Sequence, residues 1–347
     1  MTPETLAANA NTALIASMVV FALAMLSFAG HLATRAPRRA AVREDVLVGA
    51  AAGYDAAAGI ALPVRPEGIA GSAGPTPAAD APDAAEEALR SDQGAARSRQ
   101  WGAVGLNLTY VATLLLVSAV VLRGLAVSRP PWGNMYEFAT AAAAAVAVTF
   151  SLLARRNRWE WLGVFIVTPV LLVLGLSISV LYTEAGQLMP ALRSYWLGIH
   201  VLVAFIAVAL FTIAAAINVL FLVRARREHN PPAKPSFIES LPPSAKLEPT
   251  AYGLNMVGFV LWTFTVIAGA IWAKEAWGAY WQWDPKEVWT FVIWTVYAAY
   301  MHSRATAGVD HRKSMYIALV GYVSVIINFT LVNLVSTFVG MHNYSGM

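Results

Sequence analysis

Eight apolar stretches recur along the 347 residues, near 10–33, 102–122, 136–154, 161–181, 195–223, 252–273, 286–302 and 314–339, and they constrain the fold more than any other feature. Each is about the 17–25 residues an α-helix needs to cross a bilayer core, the fifth being longer and the seventh somewhat short. With 58% hydrophobic residues, 13% charged and a mean hydropathy of +0.57, the chain cannot be an ordinary soluble domain. The expected fold is an all-α, polytopic membrane protein of about eight transmembrane helices, with residues 1–347 forming a single membrane domain. The first run has no basic stretch before it, exceeds a signal-peptide core and precedes arginines, so it reads as a retained helix.

Lysine and arginine set the expected orientation. The loops 34–101, 155–160, 224–250 and 302–313 hold 19 of the 24 basic residues, and the other side holds Arg123, Arg129, Arg193, Lys274 and Lys286. The first set then faces the cytoplasm, and both termini lie on the outer side. The net charge of +4 reports this asymmetry and makes no case for nucleic acid. Cysteine is absent, which removes disulfides, thiolate metal sites and thiol chemistry by the chain itself. Segment 34–101 is rich in Ala, Gly, Pro and mixed charge and is expected to be a largely disordered cytoplasmic loop. Segment 224–250, which carries Pro231, Pro232, Pro235, Pro242 and Pro243, is expected to be a cytoplasmic connector with room for one short interfacial helix.

Half of the twelve Trp fall within 272–294. Trp277, Tyr280, Trp281 and Trp283 form an aromatic patch where a flat, polarizable ligand can lie against indole faces, and Gly278 leaves an open spot in it. An interfacial aromatic belt is the plain alternative, but belts scatter their Trp and Tyr. Asp284, Pro285 and Glu287 have the spacing of a capping-box variant opening the next helix, so capping is the default role of both acids. A second motif, Pro131-Trp132-Gly133-Asn134-Met135-Tyr136-Glu137-Phe138, carries another helix start in Asn134 and Glu137.

The run from Trp277 to Glu287 resembles the tryptophan-rich WWD signature of haem-handling proteins in cytochrome c biogenesis. Within that superfamily the chain most resembles the CcsA/ResC subunit of the System II cytochrome c synthetase, and Trp132 to Glu137 resembles the short WGNxYE motif of the same family. The resemblance implies that 272–294 is an outer haem-binding segment, with Trp132, Trp277, Gly278, Tyr280, Trp281, Trp283 and Asp284 at the site. It implies haem b as substrate and bound ligand, and holocytochrome c synthase activity as a subunit. The implied partners are a CcsB/ResB-type membrane protein, an apocytochrome c Cys-x-x-Cys-His segment, thiol-reducing pathway proteins and membrane lipids. The implied location is a bacterial plasma membrane, a thylakoid membrane being the alternative.

Six histidines remain to be placed. His229 and His311 lie among charged residues and read as solvated, and His31 reads as an interfacial residue at the end of the first span. His200 lies about 9 Å along the fifth helix from Ser194 at 1.5 Å per residue. His342 follows the eighth span on the same side. From position alone the two are either unrelated interfacial residues or a pair of imidazoles at the level of the patch. The resemblance implies the latter, as axial ligands of an outer haem. His302 is about 27 Å of helix from Asp284, too far for that site. The resemblance implies for it a second, intramembrane haem site completed by the partner. Alternatives are a System I haem-delivery protein without ligase activity, a transporter of another aromatic ligand, and a membrane scaffold whose Trp stretch docks a partner.

Overall fold

The computed structural model describes residues 2–57, 81–184, 194–231 and 236–334, with side chains within 2–35, 92–184, 194–231 and 236–333. Among them the regular elements are helical: α1 (Pro3–Ala57), α2 (Ala81–Val127), α3 (Met135–Asn157), α4 (Gly163–Ser179), α5 (Tyr195–His229), α6 (Ser244–Trp277), α7 (Pro285–Ala305), α8 (His311–Phe329) and a short α9 (Leu331–Leu334). Seven segments combine the length and apolarity to cross a membrane: Pro3–Arg35, Asp92–Val127, Met135–Asn157, Glu160–Ser179, Tyr195–His229, Ser244–Trp277 and His311–Asn333. Helix α7 fills the seventh predicted run. Its 21 residues reach about 32 Å, but Lys286, Glu287, His302 and Arg304 near its ends make it less apolar. The all-α, polytopic expectation is borne out, and the chain is an integral membrane protein.

Within 34–101, helix α1 continues to Ala57 and α2 starts at Ala81, in keeping with the helix propensity of alanine with interspersed Glu and Arg. Residues 58–80 lie outside the described residues. In the 224–250 connector, a 3₁₀ turn at Phe237–Ser240 opens with a capping box between Ser236 and Glu239, and Arg227 pairs with Glu239 at 3.3 Å.

The helix starts read from the sequence are built as expected. The Asn134 side chain accepts from Glu137 N at 2.9 Å, and Ser194 Oγ accepts from Trp196 N at 3.2 Å. Asp284 and Glu287 form a full capping box with Pro285 in the first turn of α7. Gly278 ends α6 with a left-handed φ of 82°, its N–H bonded to Lys274 O at 3.0 Å, a conformation most side chains resist.

Helices α1 to α4 pack through one cluster that includes the wholly buried Phe28 and extends onto α5 and α6. Gly105 of α2 and Gly163 at the start of α4 admit its ring, since a Cβ on either would lie within 2.7 Å of it. His31, placed by sequence at a helix end, bridges α1 and α2 instead: its Nδ1 donates to Ser98 O at 2.7 Å. Helices α5 to α8 pack through Phe211 and Tyr297, stacked at 3.8 Å, with Trp262 Nε1 donating to Thr290 O at 3.2 Å. At one end of this second group the starts of α3, α5 and α7 meet the ends of α6 and α8 around a cavity. This is called the Trp end below.

Candidate functional site

The cavity leaves about 140 Å³ of space for water-sized occupants, within about 1210 Å³ of non-atom space that includes its opening to the surroundings. Its wall is aromatic: Trp132 and Phe138 come from the start of α3, Phe205 from α5, Trp262 and Trp272 from α6, and Phe329 from α8. Tyr280 and Trp281 of the α6–α7 link complete it, and Tyr280, 60% exposed, marks where the cavity meets the surroundings. Most of these residues already touch one another. Phe138 lies 4.8 Å from Phe205 and 5.0 Å from Phe329, and Trp132 meets Phe205 edge-on at 6.2 Å.

His200 is the imidazole in this wall. Its Nδ1 lies 2.9 Å from Thr265 O, and since a carbonyl can only accept, Nδ1 is the donor. In the neutral ring the lone pair then belongs to Nε2. Trp272 stacks on the ring at 6.1 Å. Gly269 provides the room, because a Cβ there would stand 2.7 Å from His200 Cε1. The imidazole is therefore held in orientation from three positions of α6, one turn apart.

The residues predicted for the site divide into two groups. Trp132, Tyr280, Trp281 and His200 line the cavity. Trp277 packs edge-on against Trp272 at 4.7 Å, one layer behind the wall. Gly278 and Asp284 act on the backbone, ending α6 and starting α7. Trp283 is 76% exposed and sits edge-on to Trp281 at 5.8 Å, its φ of 59° lifting it out of both helices. His302 is exposed at the opposite end of the bundle, in the last turn of α7. His342 lies outside the described residues.

Glu137 has a structural task that explains its motif. Wholly buried, it pairs with Arg123 Nε at 3.0 Å and with Arg129 at 2.7 Å, and it accepts from Gly133 N at 3.0 Å. Arg123 also donates to Thr183 O at 2.6 Å. One carboxylate thus gathers the end of α2, the Trp132 loop and the α4–α5 link, which fixes Trp132 against the cavity. Arg123 and Arg129 thus share one carboxylate. Lys274 donates to Gly278 O at 2.7 Å and lies 5.7 Å over the Tyr280 ring.

Sequence reasoning missed Trp262, Thr265, Gly269 and Trp272 as a set. Their spacing of three and four residues places them on one face of α6, which periodicity could have found. It also missed Lys286, Asn328 and Asn333, whose grouping depends on α7 meeting α8.

The fold and site define a membrane-embedded helical bundle with an aromatic, imidazole-bearing cavity at one end. Residues 132–340 match the family described as cytochrome C assembly protein, and the chain belongs to that family. It is similar to the cytochrome c biogenesis protein CcsA of a Synechococcus strain, at 31% identity over 261 residues, covering 68% of this chain and 85% of that protein. It is also similar to CcsA of Chlamydomonas reinhardtii, at 34% identity over 67% of this chain and 66% of that protein. CcsA of Gloeobacter violaceus is 29% identical over 70% of this chain and 86% of that protein. The chain acts in cytochrome c biogenesis, and its family is one that handles haem.

Proposed function

We propose that the cavity receives haem and presents it on the outer side of the membrane for covalent attachment to apocytochrome c. The observation that carries this reading is His200, an imidazole in an aromatic cavity with its Nδ1 committed to Thr265 O and its remaining lone pair on Nε2. Backbone carbonyls orient metal-ligating histidines in this way. The lining fits a flat apolar macrocycle on its faces and an iron at one imidazole. His342 supplies a second imidazole in this reading. Trp281, Tyr280 and Trp132 bear on the ring, Trp277 and Trp283 extend the platform, and Gly278 and Asp284 set its angle.

The attachment is an addition. The S–H of each Cys of a Cys-x-x-Cys-His segment adds across a haem vinyl group, so one S–C and one C–H bond form while the S–H and the C=C π bond are lost. No electrons leave, and the thiols must arrive reduced, which calls for thiol-reducing proteins because this chain has no cysteine. The chain contributes positioning, exclusion of water and an iron ligand. A CcsB/ResB-type membrane partner completes the synthase and the His302 site, through which haem enters from the cytoplasm. The 19-to-5 partition of basic residues supports an outward Trp end. The bacterial plasma membrane is the favoured location.

The test is to purify the chain with its partner and compare haem content and absorption spectra of wild type, His200→Ala and His302→Ala, with and without free imidazole. His200→Ala should bind haem poorly or in an altered form that imidazole partly restores, and His302→Ala should lower haem occupancy with a normal outer-site spectrum. Wild-type spectra and full cytochrome maturation in His200→Ala would remove the reading. A tag beyond Met347 should be reached by impermeant reagents from outside, and one near Ala78 should not.

A further inference from the structure

The polar side chains of the cavity concentrate at one pole, where α7 begins and α8 ends. Lys286, Thr290, Asn328 and Asn333 meet there. The Lys286 ammonium donates to Asn328 O at 2.9 Å and to Asn333 Oδ1 at 3.0 Å. Both acceptors are neutral, and they use two of its three N–H donors. The neighbouring carboxylates Asp284 and Glu287 cap the start of α7, and Glu287 Oε1 is left buried without a partner. Glu287 Oε2 accepts from the backbone N–H groups of Gln282 at 2.8 Å and Asp284 at 3.2 Å. Asp284 Oδ2 accepts from the backbone N–H of Lys286 at 3.1 Å, and its charge also bears on the ammonium.

One N–H of the Lys286 ammonium remains to be used, and a charge-assisted hydrogen bond to a ligand carboxylate is the strongest partner it can gain in an apolar cavity. We propose that Lys286 is a positioning residue that holds a carboxylate of the cavity's ligand, with Asn328 and Asn333 fixing the ammonium. This rests on the haem reading, in which the carboxylate is a propionate. Haem carries its propionates on one edge, so an anchor at this pole selects one orientation of the ring within its own plane. The vinyl groups are then presented away from the α7–α8 pole.

The competing role is a pin that ties the start of α7 to the end of α8. The experiment separates the two by titrating the purified complex, stripped of haem, with haem b and with haem b dimethyl ester, following tryptophan fluorescence and the Soret band. Wild type should bind the diacid about tenfold or more tightly than the diester, as a hydrogen bond to a charged group implies. Lys286→Met should lose that ratio by weakening the diacid alone, and Lys286→Arg should keep part of it. Equal binding of both by wild type, a parallel loss of both in Lys286→Met, or a ratio that survives in Lys286→Met overturns the proposal while leaving the haem reading intact. Binding of neither by wild type removes both. Should Lys286→Met not accumulate, Asn333→Ala should lower the ratio severalfold by freeing the ammonium, and an unchanged ratio there counts against the anchor.

Discussion

Helices α1 to α4 and helices α5 to α8 are built from similarly apolar sequence, yet one group is filled and the other is hollow at one end. Around Phe28 the space between helices is taken up by a single ring and the glycines that admit it. Around His200 the same device, a glycine admitting a ring, leaves the ring in the wall of a cavity. The filled half satisfies His31 through Ser98 O, within its own helix pair. In the hollow half, aromatic side chains face empty space, and polar ones form a pole at Lys286. A close-packed interior loses contacts wherever a void remains, so the cavity is kept at a cost in packing.

The largest expected effect lies at the seam between the halves. Glu137→Ala leaves Arg123 and Arg129 without their buried carboxylate and should cost about 3–5 kcal/mol, read as lower accumulation and an earlier unfolding transition in detergent. Glu137→Gln should do less harm, since an amide oxygen still accepts one hydrogen bond. If Glu137→Ala unfolds normally but loses haem, the carboxylate belongs to the cavity and not to the scaffold.

Next in size, Phe28→Ala should cost about 3 kcal/mol or more through the void it leaves, while the haem spectrum of the folded fraction stays unchanged. A spectral change there would break the division between the halves. Gly269→Ala should have the reverse signature. Its new Cβ meets the His200 ring, and overpacking costs about 1–3 kcal/mol in a full core, but here the ring can swing into the cavity. A small stability loss with a clear change in haem spectrum is therefore expected, and a wild-type spectrum would mean that His200 is not held as described.

The smallest effects belong to the α6–α7 link. Asp284→Ala should cost about 1 kcal/mol of helix capping, whereas Asp284→Asn or Asp284→Ser should keep most function because both cap well. Trp283→Ala should change stability by less than about 0.5 kcal/mol, as exposed positions do. Any fall in mature cytochrome at normal protein level would then come from what Trp283 meets outside the bundle.

The sequence by itself determined the membrane spans, the helix starts at Asn134 and Asp284, and the family. Each rests on local physics: a backbone in lipid must bond to itself, and a cap bonds to an amide two or three residues on. Which aromatic residues line the cavity was decided by tertiary structure. Trp272 and Trp262 lie in the wall because the rotation of α6 is set by its packing on α5, while Trp283, inside the most conspicuous motif, points outward from the α6–α7 link, where its φ is 59°. His200 and the carbonyl that orients it are 65 residues apart, and the acceptors of Lys286 lie 42 and 47 residues further along the chain. Such pairs exist only once one helix is laid beside the next, since no local hydrogen bond or hydrophobic period encodes the distance between them.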